Sequence, residues 1–513
     1  MPPANSSSHV SVTAVARAAA LVFLAMLAWG ATAAPPRAPA PASLAARLDA
    51  TVKQAPAPQA GRCVSVTYEG LLELEAHFRK PGEKHTYHSR HRYVADGVGS
   101  ARMEWTTWLE GDSIGAPETW LYARGILLYR EAPGRRWVAV SAARRDQLLT
   151  QTLAGLPWEI AREMKRGLAA GILRGTGGDP SGLWTVSDGK SPAASALTIG
   201  PIDNRIVSYV TNRPHPRLGD VRDGVVYAYA EPGPVPTEIR EVVHERDQQW
   251  ALTERRVDLH TDSAEESLLA LPASFEPAPA DEDSLRSEPI LSSLAPGLWA
   301  VNMDDIDSRS MIVEFADHLA VLEAAVGSAN GERIVDLARR QWPRKPIRWF
   351  LFSHYHPHYA GGVRAFVAEG ATIVTTPGNE AMVRQAASWP FRLKPDRLAR
   401  AAKPLQIQTF QKRFELADST NRLVAVDIGA RSDHTNEFVV FWFPRQRILF
   451  ETEQGWVTVE GKPRAIRRAE KFLKTLDEEG LTADLLVQSW PMRGNAAQLT
   501  RAVLDSLVLA RKR

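Results

Sequence analysis

A chain of 513 residues, 44% hydrophobic and 24% charged, carries enough apolar material for two or three packed domains. A net charge of +3 over that length is too dilute to point to nucleic acid or a membrane surface. The single cysteine, Cys63, excludes an internal disulfide and sits in a strand-like context where it reads as a small buried hydrophobe.

The chain opens with Arg17, an apolar run over 18–29 and the small residues Gly30, Ala31, Thr32 and Ala33. This order reads as a secretory signal over 1–33, removed on export to the periplasm or the medium. The run is short for a membrane-spanning helix of about 20 residues, and no later segment is long and apolar enough to span. Residues 34–60 are Ala/Pro-rich and read as an extended linker.

Residues 61–275 read as a mostly antiparallel β-rich domain. Strand composition recurs at 64–74, 119–123, 126–130, 137–140, 225–230 and 250–257, with one helical insert over 144–165. The pattern predicts a curved sheet wrapped around a helix, which resembles periplasmic lipoprotein-carrier half barrels. His85, His88 and His91 would share a helical face, but in a strand His88 points away from the other two. They are read as solvated histidines and not as a metal site. A proline-rich acidic stretch marks a second linker at 276–289.

From 290 the pattern changes. Short strands at 298–301, 311–315 and 319–323 precede a helix over 331–340 with Ile334, Leu337 and Ala338 on one face. An apolar strand over 347–352 runs into His354, His356 and His358, then Gly361, Gly362 and a helix ending at Gly370. Further strands are expected at 373–375, 423–426, 438–443, 448–450 and 485–487, and helices at 465–478 and 498–511. This is an α/β domain with an antiparallel start.

The histidine turn, His354-Tyr-His356-Pro-His358-Tyr359-Ala-Gly361-Gly362, is similar to the His-x-His-x-Asp-His-x-Gly-Gly motif of the metallo-β-lactamase-fold hydrolases. The hairpin at 313–323, the His434-Thr435 loop, the hairpin at 443–453 and the Arg493-Gly494 turn resemble further parts of that family. The resemblance covers 290–513. It implies a four-layer αββα sandwich with metal ligands on loops at one edge, and three histidines on a first metal ion, here His354, His356 and His434. The second metal's usual ligands map onto His358, Tyr359, Glu453 and Arg493, so every one of those positions has changed.

Three neutral imidazoles leave a zinc ion its full charge and an open position, which suits lowering the pKa of a bound water to about 7. The expectation is therefore one zinc ion and hydrolysis of a small-molecule ester, amide or phosphoester. His358 or Glu453 would handle the proton, and Arg493 and Tyr359 would contact substrate. His358 could equally be a fourth ligand, and Glu453 could reach the first metal or pair with Arg493. The rival reading is a metal-free pseudoenzyme acting as a periplasmic binding module. Fold alone does not fix substrate.

Overall fold

The alternation of apolar residues that marks the first half resolves into one antiparallel sheet. The structure, a computed structural model, describes residues 43–75, 79–179, 181–189, 194–243, 250–278 and 287–510. The expected signal at 1–33 and most of the second linker lie outside the described residues. No helix among the described residues is long and apolar enough to cross a membrane.

In chain order the strands of the first half are β1 (Cys63–Glu75), β2 (Lys84–Ala95), β3 (Ala101–Trp108), β4 (Glu118–Ala123), β5 (Ile126–Arg130), β6 (Val138–Ala139), β7 (Arg174–Gly177), β8 (Leu183–Ser187), β9 (Ala194–Ile199), β10 (Ile206–His215), β11 (Gly219–Ala228), β12 (Glu238–Val243) and β13 (Trp250–Ser263). First and last strands pair at the centre, so β2 to β6 extend one way and β12 to β7 the other. One face packs on three helices, α1 (Leu44–Lys53), α2 (Ala142–Thr152) and α3 (Pro157–Ala169). Leu44 and Leu48, Leu149 and Leu153, and Trp158, Ile160 and Met164 meet Val66, Tyr68, Tyr93 and Met103 there.

Two differences from the sequence reading have clear causes. The Ala/Pro-rich stretch is not all extended chain: Ser43 caps α1, accepting from the Ala46 N–H, and Leu44 and Leu48 are buried. The single helical insert is two helices. A Cβ at Gly155 would come within 2.3 Å of the Tyr93 ring, and Pro157 starts the next helix at its first turn.

The second half is built from two sheets. The first contains β14 (Ile290–Ala295), β15 (Leu298–Met303), β16 (Ser308–Glu314), β17 (Leu319–Leu322), β18 (Ile347–Leu351), β19 (Thr372–Thr375) and β20 (Gln406–Thr409), antiparallel to β17 and parallel after it. The second contains β21 (Arg413–Ala417), β22 (Arg422–Asp427), β23 (Val439–Phe443), β24 (Ile448–Glu451), β25 (Leu485–Gln488) and β26 (Gln498–Thr500). Helices α4 (Ser328–Gln341), α5 (Pro357–Ala360), α6 (Val363–Glu369) and α7 (Pro377–Ser388) belong to the first sheet's side, α8 (Ile466–Glu478) and α9 (Arg501–Ala510) to the second's.

The period-2 strands serve two cores at once. Met311 and Val313 face the gap between the sheets, whereas Ile312 faces α4 and α6. On the other sheet Val439, Phe441 and Phe443 fill the gap, whereas Val440 faces α8 and α9. The layer order is helix, sheet, sheet, helix, the αββα sandwich anticipated for 290–513.

The two halves interlock through two hairpin tips. Leu218 and Val221, beside the β10–β11 turn, are buried in the core that α4 and α6 share with the first sheet. Asp220 accepts from the Arg392 and Leu393 N–H groups, and Gly219, at φ +77°, lies so close to Pro390 that a Cβ would meet its carbonyl at 2.1 Å. In the turn between β1 and β2, the Arg79 guanidinium donates to Asn436 Oδ1 (2.8 Å) and to the Ser432 carbonyl (3.3 Å). Arg79 thus holds the loop that carries His434.

Candidate metal centre

Three loops leave the same edge of the paired sheets. The loop after β18 carries His354 and His356, the loop between β22 and β23 carries His434, and the turn after β24 carries Glu453. One ligand atom from each of these four residues lies within 4.8 Å of the others. Each sheet contributes two of the four, so the centre exists only when the sheets are stacked.

The rings stand nearly perpendicular, with interplanar angles of 72°, 89° and 85° among the three histidines. His356 Nδ1 lies 2.9 Å from His354 Nε2 and 3.2 Å from His434 Nε2. An imidazole nitrogen has one in-plane position, a proton or a lone pair, and cannot bond well to both neighbours. A cation at the centre serves all three lone pairs. Tetrahedral nitrogens at about 2.0–2.1 Å from zinc would sit about 3.3 Å apart, close to what the chain supplies. The donor set fits one zinc ion.

Surrounding groups fix the ring orientations. Ser353 Oγ lies 3.0 Å from His354 Nδ1; by accepting from an Nδ1–H it would leave Nε2 for a metal. The Ser353 N–H donates to Glu323 Oε1 (2.9 Å), and Thr452 Oγ1 donates to Ser353 Oγ (3.3 Å). The His434 N–H is held by Ser432 Oγ at 3.0 Å. The double glycine has a steric role. A Cβ at Gly361 would lie 2.6 Å from the Val326 carbonyl carbon, and one at Gly362 2.8 Å from Ala324 Cβ. Only glycine lets the chain after the histidine turn lie against the 324–326 loop.

Glu453 has a left-handed backbone, φ +56°, and is buried. Its carboxylate contacts His434 Nε2 and accepts from the Tyr359 hydroxyl at 2.7 Å. Burial alone would raise its pKa, but His434, Tyr359 and the Arg468 charge outweigh burial and hold it below the ordinary glutamate value. Burial lifts Tyr359 well above its usual pKa, with Glu453 adding to the shift, so the phenol stays a donor. Glu451 is fully buried, and that burial pushes it to about 7 despite bonds from the Gln454 and Gly455 N–H groups. Glu323 is likewise pushed well above normal by burial. Of the three carboxyl groups, Glu453 is the one held ionised beside the imidazoles.

His358 is not among the four converging residues; its ring stacks on Trp490 at 3.9 Å. Tyr359 is fully buried and faces Glu453, with its ring 4.4 Å from that of His354. Arg493 is exposed: its N–H bonds to Asp307 and its guanidinium reaches the Asp304 carbonyl at 3.5 Å. Of the two alternatives for Glu453, it lies with the histidine trio and not with Arg493: Tyr359 and His434 contact its carboxylate, and Arg468 Nη1 donates to its carbonyl at 3.1 Å. Ser353, Glu323 and Trp490 escaped sequence reasoning; Ser353, adjacent to His354, carried the one local signal.

His91 also departs from expectation. It is buried, bonded through Nδ1 to Glu254 Oε2 at 2.8 Å and stacked on Trp105 at 5.5 Å. Its alternation places it on the helix-covered face of the sheet, where water is excluded. His88 does remain partly exposed, against Glu110 and Trp108.

No family model matches the chain, and no curated protein matches it in sequence. Among solved structures it is similar to a metallo-β-lactamase from Pontibacter korlensis, at 15% identity over 44% of this chain and 100% of that one, with a TM-score of 0.32. It is also similar to the metallo-β-lactamase FIM-1 from Pseudomonas aeruginosa in its mono-zinc form (17% identity, 44% and 97% covered, TM-score 0.31). A third similar structure is the inverting sec-alkylsulfatase Pisa1 from Pseudomonas sp. (15% identity, 43% and 41% covered, TM-score 0.31). These likenesses concern fold alone. The fold of 290–510 rests on its own layer order and strand pairing, and is the metallo-β-lactamase fold.

Proposed function

We propose that the second half is a zinc-dependent hydrolase of a small ester, amide or phosphoester, working outside the cytoplasm after removal of the 1–33 signal. The observation that carries this reading is the convergence of His354, His356, His434 and Glu453 from two sheets onto one point. Zinc supplies Lewis acidity, bringing water's pKa to about 7.

The chain's residues do the rest. His354, His356 and His434 would hold the ion, and Ser353 would orient His354 through its Nδ1. Glu453 would accept the proton from the attacking water; the Tyr359 hydroxyl donates to its carboxylate at 2.7 Å and orients it. Tyr359 positions Glu453 and does not touch substrate. His434 is the least buried of the three histidines, so substrate approaches from its side. His358 and Trp490 form a flat wall suited to the apolar part of a substrate.

Glu453 also supports a second reading. Four protein ligands close a tetrahedral zinc ion and make it structural. Metal analysis of the full chain, with a screen of p-nitrophenyl esters and phosphodiesters, tests both. About one zinc per chain, lost together with hydrolysis in His434→Ala, supports the hydrolase. Zinc retained without turnover, and a chelator that lowers Tm, supports the structural ion. No retained zinc and a chelator-insensitive Tm would leave the metal-free binding module.

A further inference from the structure

The helix-covered face of the first half holds a second, unrelated cluster. A cavity of about 110 Å³ is lined by Leu72, His91, Met103, Trp105, Trp120, Gln151, Glu241 and Leu252. Its walls are aromatic: Trp105 and Trp120 lie 6.5 Å apart, and Trp120 lies 5.0 Å from Tyr129. Trp105 Nε1 donates to Ser89 Oγ at 3.0 Å, which fixes the indole in place.

The polar groups at this cavity do not balance. His91 is engaged by Glu254 Oε2, while Glu254 Oε1 is buried and takes no hydrogen bond among the described residues. Glu254 is 1% exposed. Glu241 lines the cavity itself, and the charged groups that act on it are His91 and Glu254. Two carboxyl groups therefore face one imidazole. Arg256, on the same strand as Glu254, is occupied by Glu231 and by the Val235 carbonyl at 3.0 Å.

We propose that this cavity binds the headgroup of a small organic monocation, an alkylammonium group. Tryptophan faces attract such cations, most strongly where water is excluded. Glu241, whose proton a cation seated beside it would displace, supplies a counter-charge that a neutral or anionic headgroup could not use. The volume suits a compact group and not a drug-sized ligand, whose sites run to about 300–1,000 Å³. An acyl chain would gain nothing from burying two carboxyl groups.

Choline and its neutral isostere 3,3-dimethylbutan-1-ol are the probes. Tryptophan fluorescence and calorimetry on the full chain should show choline binding at least tenfold tighter than the alcohol. Glu241→Gln, close to isosteric, should remove that preference, and Trp120→Leu should weaken choline at least tenfold, both with Tm checked to show folding. His434→Ala should leave choline binding unchanged. Equal binding of the two probes, or a choline preference that survives Glu241→Gln in a folded variant, would overturn the proposal. So would failure of choline to bind at millimolar concentration.

Discussion

The two buried histidine–glutamate clusters share residue types and differ in geometry. At the edge of the paired sheets, three ring nitrogens point at each other and a carboxylate closes the group. Inside the first half, one imidazole is bound by one glutamate and stacked on an indole. A histidine–glutamate contact therefore does not make a metal site. Several ring nitrogens converging with a carboxylate on one point can hold a cation.

That contrast can be broken by experiment. The largest expected effect lies in the first half. His91→Ala strands Glu254 in the interior and should cost about 3–5 kcal/mol in denaturant unfolding, with zinc content unchanged. Loss of zinc in this variant would erase the distinction between the clusters.

The next effect is on pH. Burial raises Glu241 to about 7, helped by Glu254 and opposed by His91. A raised carboxyl pKa means that the folded state keeps its proton while the unfolded chain loses it. Stability should therefore fall as pH rises from about 4.5 to about 7, by up to about 3 kcal/mol, and level off above that. Thermal unfolding at pH 5 and pH 8 should show this fall in the wild type and a smaller one in Glu241→Gln. Equal falls would remove Glu241 as its source.

At the other cluster, Glu453→Gln should weaken zinc about 100-fold and Tyr359→Phe about tenfold, measured by competition with a chromogenic chelator. The reverse order would mean that the phenol and not the carboxylate completes the centre. The smallest effect is expected at Arg493. Its side chain reaches only a backbone carbonyl on the surface, so Arg493→Ala should leave zinc content unchanged and stability within about 0.5 kcal/mol.

Much of the sandwich was legible because its strands alternate cleanly and its histidine turn is compact in sequence. His354 and His356 are two residues apart, and His434-Thr435 follows a strand. The unread parts depend on distant partners. His358 is turned aside by Trp490, 132 positions later, and His91 is buried by Glu254, 163 positions later. Glu453 was named from the family resemblance, but the left-handed turn that brings it to the trio has no local pattern to announce it. Leu44 and Leu48 made a helix from a stretch whose prolines suggested open chain, because the sheet offered them a core.

Leu218 and Val221 cross from the first half into the other half's interior, and Arg79 grips the strand of backbone that presents His434. A fragment cut out at residue 290 would inherit a hole where two side chains had been and a His434 loop without its clasp. The halves have become a single inheritance: a lineage that exchanged the front module for another would have to keep those two fingertips or rebuild the metal centre without them.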